Sequence, residues 1–280
     1  MNWFEKFIAL LQFEWDKPSL YGWKHLIFLA LMIVGVVVVF VTCKNLSEKQ
    51  FKILMLTLGI ILLVLELFKQ LVFSYDSATN TWEYDWKQFP FQFCSTPMYV
   101  MFLVGLLKEC KFRDYLCSFL ATFGIFAGVI VMFYPSTVLS AVAFRFCQSM
   151  IHHSLMVIGG MIVVVSKKIK FEHKTILKSM LVFAIFLVIA VIMNIVFHLS
   201  GNSASFNMFY VGPFDSCDIP VLHDIGNSLN IDADYLHLGN FIFILLYFIA
   251  FSIAGYLILL LEIFINKKVN SRQEKQNIGV

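Results

Sequence analysis

Charge is scarce in this chain: Asp, Glu, Lys and Arg make up 14% of its 280 residues, where a soluble domain carries roughly a quarter. That shortage, beside 60% hydrophobic residues and a mean hydropathy of +0.81, excludes a protein whose main solvent is water. Apolar–polar alternation is missing too, since runs such as Leu26 to Thr42 are almost wholly apolar, and this excludes a transmembrane β-barrel. Six cysteines are present (Cys43, Cys94, Cys110, Cys117, Cys147 and Cys217), but no CxxC pair or metal-like spacing joins them, so neither a disulfide framework nor a cysteine metal site is expected. No secretory signal is visible, because the first apolar stretch, Phe7 to Phe13, is short and lacks a small-residue cleavage site; the mature chain is expected to start near Met1. The net charge of +3 is too small and too spread along the chain to suggest a nucleic-acid partner.

What is present is a series of apolar runs near the roughly 20 residues that a helix needs to cross a bilayer. They predict an all-α, polytopic transmembrane bundle of seven spans: His25 to Cys43, Phe51 to Phe73, Phe89 to Leu107, Tyr115 to Tyr134, Phe144 to Val165, Ile176 to Leu199 and Leu236 to Ile265. The bundle (24–266) is expected to follow an interfacial segment (1–23), in which Trp3 to Trp15 interleaves apolar residues with Glu5, Lys6 and Glu14, and to precede a basic tail (267–280). Fifteen of the 21 basic residues fall in the turns Lys44 to Lys52, Lys108 to Arg113, Lys167 to Lys178 and the tail, which puts the amino terminus outside and the carboxyl terminus inside. The long connection 200–235 then caps the outer face, and Gly124 and Gly128 in span four serve close helix packing.

Intramembrane polar side chains are costly, so each marks a functional hypothesis and calls for a partner. Here they share one depth. Glu66, Lys69 and Gln70 end span two; Gln92, Cys94, Ser95 and Thr96 begin span three; Arg145, Gln148, Ser149, His152, His153 and Ser154 begin span five; Asn194 and His198 end span six; His237 and Asn240 begin span seven. All lie in the outer half, whereas Glu262 is the visible exception in an otherwise apolar inner half. Mutual satisfaction and snorkelling toward water account for end residues such as Lys69 and His237, but five helices converging at one depth point to a site.

Within the layer, Cys94 and His153 form the pair suited to nucleophilic catalysis: a thiol attacks, and an imidazole takes its proton and returns it to a leaving group. Cys94 is expected about five residues, roughly 7 to 8 Å, into span three, with Pro97 removing the helical hydrogen bond to the Phe93 carbonyl. A buried thiolate needs a cation, for which Arg145 or protonated His153 is the candidate. Only one of the adjacent His152 and His153 need face the site. Glu66 is the carboxylate expected to orient that histidine or to pair with Arg145, with Lys69 competing for it. The loop carboxylates Asp215, Asp218, Asp224, Asp232 and Asp234, with His223, match no metal loop, so no metal or cofactor is expected.

The stretches Leu65-Glu66, Phe89-Pro90-Phe91-Gln92-Phe93-Cys94, Phe144-Arg145-Phe146 and His153-Ser154-Leu155, with a looser match at Asn194 and from Gly201-Asn202 through Tyr210, resemble the YwaF type of bacterial integral membrane protein. That type is similar to the transmembrane protein 164 group, taken to transfer acyl chains between phospholipids through a cysteine and a histidine. The resemblance implies Cys94 as acyl acceptor and His153 as base, with Glu66 and Arg145 as supports; bacterial relatives often show a histidine where Gln92 or Gln148 stands, so this chain departs from the pattern there, and Gln92, Gln148, His152 and Asn194 are expected as further supporting residues of the polar layer. It also implies membrane lipids as partners and a multi-pass protein of the cell membrane; the sequence sets no oligomeric state. Two other readings remain open at this point. A small-solute transporter or receptor would use the polar layer as a binding site, although repeat symmetry and an inner polar path are both missing. A non-catalytic membrane scaffold would need no chemistry at Cys94.

Overall fold

The computed structural model describes residues 1–278 except 137 and 234, with side chains described through 269 and at 271. The structure is 70% helical, and among the described residues six helices are long and apolar enough to cross a membrane. A short helix α1 (Trp3–Leu11) leads into α2 (Trp23–Thr42) and α3 (Glu48–Ser74); capping boxes start α1 at Asn2–Glu5 and α3 at Ser47–Gln50. A two-residue hairpin, β1 (Tyr75–Asp76) with β2 (Thr81–Trp82), precedes α4 (Thr96–Leu106). One continuous rod then runs through α5 (Lys111–Phe119), a π-helical turn Leu120–Gly124 and α6 (Ile125–Phe133). Helices α7 (Ala143–Val165) and α8 (Thr175–Leu199), the small α9 (Leu222–Ser228) and the long α10 (Leu238–Ile278) complete the chain.

The expected third span departs most from this picture. A continuous helix from Phe89 to Leu107 does not form: a 3-10 turn covers Trp86–Gln88, a second one covers Phe93–Ser95, and regular helix begins only at Thr96. Pro90 is the cause, because it has no N–H to donate and biases Phe89 away from helical geometry. Pro97 falls at the second position of α4, where a missing N–H breaks no bond, so the anticipated lost hydrogen bond is absent. The Phe93 carbonyl is instead taken by the Thr96 N–H and, at 2.9 Å, by its hydroxyl. From Phe93 to Leu106 the apolar segment is shorter than the six spanning helices.

The rod α5–α6 and helix α7 form the centre, with 72% and 61% of their apolar windows buried by protein, against 17% for α2 at the rim. Backbone contact between elements depends on glycine. A Cβ at Gly59 would lie 2.6 Å from the Phe102 nitrogen and one at Gly105 only 2.5 Å from the Leu56 nitrogen, so α3 and α4 touch main chain to main chain. Gly128 does the same toward α7, 2.8 Å from the His153 carbonyl. Gly124 meets nothing nearer than 3.6 Å; its expected partner role passes to Gly160 of α7, whose Cβ would stand 2.6 Å from the Leu120 carbonyl.

The two ends of the bundle differ in chemistry. At one end Glu48 pairs with the buried Arg113 and, at 2.9 Å, with Lys168, while Lys178 meets Asp114 at 2.7 Å and Lys52 donates to the Leu106 carbonyl. The basic turns between α2 and α3, α4 and α5, and α7 and α8 therefore share this end. The other end receives the finish of α3, the start of α4 and α7, the finish of α8 and the start of α10, and it holds the polar layer.

Candidate active site

Helix α7 delivers its two histidines into protein, not outward: both are 4% exposed, with ring centroids 5.5 Å apart. A carbonyl only accepts, so each contact fixes a tautomer. His152 donates from Nε2 to the Cys94 carbonyl at 3.0 Å, and His153 donates from Nδ1 to the Ser149 carbonyl at 2.7 Å. The remaining nitrogens, His152 Nδ1 and His153 Nε2, are buried lone pairs with no hydrogen-bond partner among the described residues. Cys94 itself is free and half-buried in the 3-10 turn Phe93–Ser95 ahead of α4, not five residues down a helix. The irregular turn leaves its carbonyl available to His152.

The carboxylate and the cations are arranged otherwise than expected. Glu66 Oε1 accepts from Lys69 Nζ at 2.7 Å and from Gln70 Nε2 at 2.7 Å, and among the described residues it bonds neither a histidine nor Arg145. Lys69 and Gln70 stand one turn along the same helix and arrive first. Gln70 also donates to the Gln88 carbonyl at 2.6 Å and accepts from the Tyr84 hydroxyl at 2.8 Å, which ties α3 to the segment leading to Cys94. The Arg145 guanidinium lies 3.7 Å over the Phe73 ring, a cation–π contact, and forms no ion pair among the described residues. Gln148 is buried on α7 one turn before His152.

Gln92 and Asn194 hold the outer connection. Gln92 donates to the Asn207 carbonyl and accepts from the Phe209 N–H, both at 2.9 Å; Asn194 donates to the Met208 carbonyl at 2.9 Å and accepts from the Met208 N–H at 2.7 Å. Two side-chain amides thus satisfy the backbone of one turn whose Met208 and Phe209 are 0% exposed in the core. Phe209 and Tyr210 both adopt positive φ, 59° and 56°, a conformation costing about 1–3 kcal/mol per residue that persists only where the surroundings impose it. Asn194→Leu would strand a buried N–H and a buried carbonyl, a loss of about 2–4 kcal/mol. Hydrogen exchange over 206–211 is expected to accelerate strongly in that variant while the cores of α3 and α7 stay protected.

A cavity of ≈ 210 Å³ opens beside this turn, lined by Lys87, Gln92, Asn207, Tyr210, Asp215 and Asp218 among others. Burial pushes the Tyr210 phenol up to about 12, with Cys94 next among the groups that act on it. Burial also raises the Asp215 carboxyl above its ordinary value. No group of three or more His, Cys, Asp or Glu side chains among the described residues is placed to hold a metal; His223 bonds the Cys217 carbonyl at 2.8 Å, and Asp234 lies outside the described residues. The sequence places the stretch through Tyr210 in the outer connection without marking its buried turn, although the run Phe206 to Val211 is too apolar for a solvated loop.

A family model described as the TMEM164 family matches residues 20–262. No curated protein and no solved structure matches the chain.

Proposed function

The chain belongs to the TMEM164 family, and from that premise we propose that it is a membrane acyltransferase that moves acyl chains between phospholipids through Cys94 and His153. The observation that carries this reading is the meeting of α7 with the Cys94 turn: one imidazole grips the Cys94 carbonyl and the next one keeps a buried nitrogen free. His153 Nε2 takes the thiol proton, and the thiolate sulfur attacks the ester carbonyl. The carbon–sulfur bond forms as the ester carbon–oxygen bond breaks, and the departing lysolipid oxygen takes the proton from His153. A lysolipid hydroxyl then reverses the sequence and leaves with the acyl chain. His152 is a positioning residue that fixes the turn. Arg145, at the start of α7 with no carboxylate paired to it among the described residues, holds the lipid phosphate. Glu66 and Gln148 support the layer, and Gln92 and Asn194 keep the outer turn seated above it.

In this reading the segment Phe93 to Leu106 and the six long helices make seven spans, with the basic end of the bundle facing the cytoplasm and the site at the outer headgroup boundary of the cell membrane. Helix α1, with Trp3 and Leu10 exposed and Ile8 buried against Val72 and Tyr75, lies in the interface there. The likeness to the bacterial YwaF type belongs to the same reading.

The test is acyl transfer from a labelled phospholipid to a lysophospholipid in vesicles of phosphatidylcholine, phosphatidylethanolamine and phosphatidylglycerol. His153→Asn is expected to lower turnover by about 10²–10⁴-fold. His152→Asn keeps a donor for the Cys94 carbonyl and is expected to retain most activity. Equal loss in the two variants, or none in either, would overturn the assignment of the base.

A further inference from the structure

A larger cavity, of ≈ 540 Å³, opens at the basic end of the bundle, where α3 meets α4; Glu48, Lys49, Lys52, Ile53, Leu56 and Gly105 line it. Its shape follows from where the helices end. Helix α4 stops at Leu106, whose carbonyl accepts from Lys52 Nζ at 3.1 Å, while α3 extends one turn past Lys52 to Glu48. The floor is the main-chain contact of Gly105 with Leu56. Lys49, Lys52, Ile53 and Leu56 share one face of α3, and Ile60 continues it by a further turn. Charge comes first along this face and apolar surface follows, over about 16 Å of helix rise. Ile53, Ile60 and Leu106 are exposed.

No acid matches these lysines. Glu48, the carboxylate of the groove, is taken by Arg113 at Oε1 and by Lys168 at Oε2, and among the described residues Lys49 and Lys52 form no ion pair. An ammonium has three donors, and Lys52 uses one on the Leu106 carbonyl, so two remain for a ligand. We infer that this groove binds an anionic phospholipid of the phosphatidylglycerol class: Lys49 and Lys52 hold its phosphate, and one acyl chain lies along Ile53, Leu56 and Ile60. Uncompensated lysines at the headgroup level attract anionic lipid, and the apolar wall below them meets its chain. A zwitterionic headgroup would set another ammonium beside the lysines, and a soluble phosphate would use none of the apolar wall. The bound lipid bridges α3 to the end of α4. Its binding does not depend on chemistry at Cys94.

Native mass spectrometry of the full-length protein in detergent, titrated with dioleoyl phosphatidylglycerol or dioleoyl phosphatidylcholine, counts the lipids held. One phosphatidylglycerol per chain is expected to stay bound at concentrations that leave phosphatidylcholine unbound. Lys49→Gln combined with Lys52→Gln removes both charges and keeps an amide donor at each position. That double variant is expected to bind phosphatidylglycerol about 30-fold more weakly and to lose the rise in melting temperature that this lipid gives the wild-type protein. Lys44→Gln combined with Lys111→Gln removes the same charge from the same end, outside the groove, and is expected to bind like wild type. Equal weakening in the two double variants would mark general surface attraction and overturn the inference. Equal retention of the two lipids would overturn it too, as would displacement of the lipid by glycerol 3-phosphate, which marks a site for soluble phosphate.

Discussion

Cys94→Ala is expected to abolish acyl transfer while leaving the fold intact. The thiol makes no hydrogen bond that the surrounding structure needs, and the contact that joins this turn to α7 uses the Cys94 carbonyl, which alanine retains. Loss of the half-buried sulfur leaves a small void, a cost of about 1 kcal/mol or less. With the nucleophile removed, the remaining groups have no atom on which to carry the acyl chain, so turnover should fall to the rate without enzyme. The vesicle transfer assay measures the loss, and a melting curve in detergent measures the fold. Turnover that persists in a folded Cys94→Ala protein would exclude a thioester route.

The second large effect concerns the scaffold. Gly105→Val puts branched carbon where a single Cβ already falls 2.5 Å from the Leu56 nitrogen, and Gly59→Val does so 2.6 Å from the Phe102 nitrogen. Main chain cannot swing aside as a flexible side-chain end can, so α3 and α4 must part along their contact. Overpacking of ordinary cores costs about 1–3 kcal/mol, and a clash with backbone lies at or beyond the top of that range. Either variant is expected to lose most of its folded, monodisperse yield in detergent. Gly124→Ala is the matched control: its Cβ would find 3.6 Å of room, and alanine favours helix over glycine by about 0.5–1 kcal/mol, so stability should hold or rise. Wild-type yield from Gly105→Val would contradict the close approach of α3 and α4.

These two residues also show what the sequence made legible. Membrane helices such as α2 and α8 announce themselves because apolar composition alone decides them, and His152, His153 and Cys94 were visible because reactive polar groups are conspicuous among apolar ones. Gly59 and Gly105 were not visible. A glycine in an apolar run says that something approaches closely, but not what, and the pair that does look like a packing motif, Gly124 and Gly128, delivers only Gly128 to a neighbour's backbone. The helix expected from Phe89 starts later, at Thr96, because apolar residues continue through Phe89 to Phe93 while Pro90 stops the helix. Gln92 and Asn194 were legible as intramembrane amides, yet their partners are backbone groups of a turn more than a hundred residues away from Gln92, which no local pattern encodes. Glu66 was expected to reach a histidine or Arg145 with Lys69 competing for it, and it is the competitor Lys69, with Gln70, that takes it. Long-range partners depend on which helices end up adjacent, and composition does not carry that information.

The arrangement as a whole divides the work by element. Helix α3 supplies a charged group, Glu66 with Lys69, braced by Gln70 to the approach to Cys94. The turn before α4 presents the thiol, α7 supplies the imidazoles, and the connection before α9 is fastened over them by side-chain amides. At the opposite end Glu48, Arg113 and Lys168 join α3, α5 and the turn after α7, and keep the helices in register there.

The most direct measurement is the mass of the intact protein after incubation with vesicles of phosphatidylcholine, phosphatidylethanolamine and phosphatidylglycerol that carry a single kind of acyl chain. A gain of one acyl chain on Cys94, released by hydroxylamine and absent in Cys94→Ala, is the predicted result. No adduct on the wild-type protein, or the same adduct in Cys94→Ala, would contradict the account.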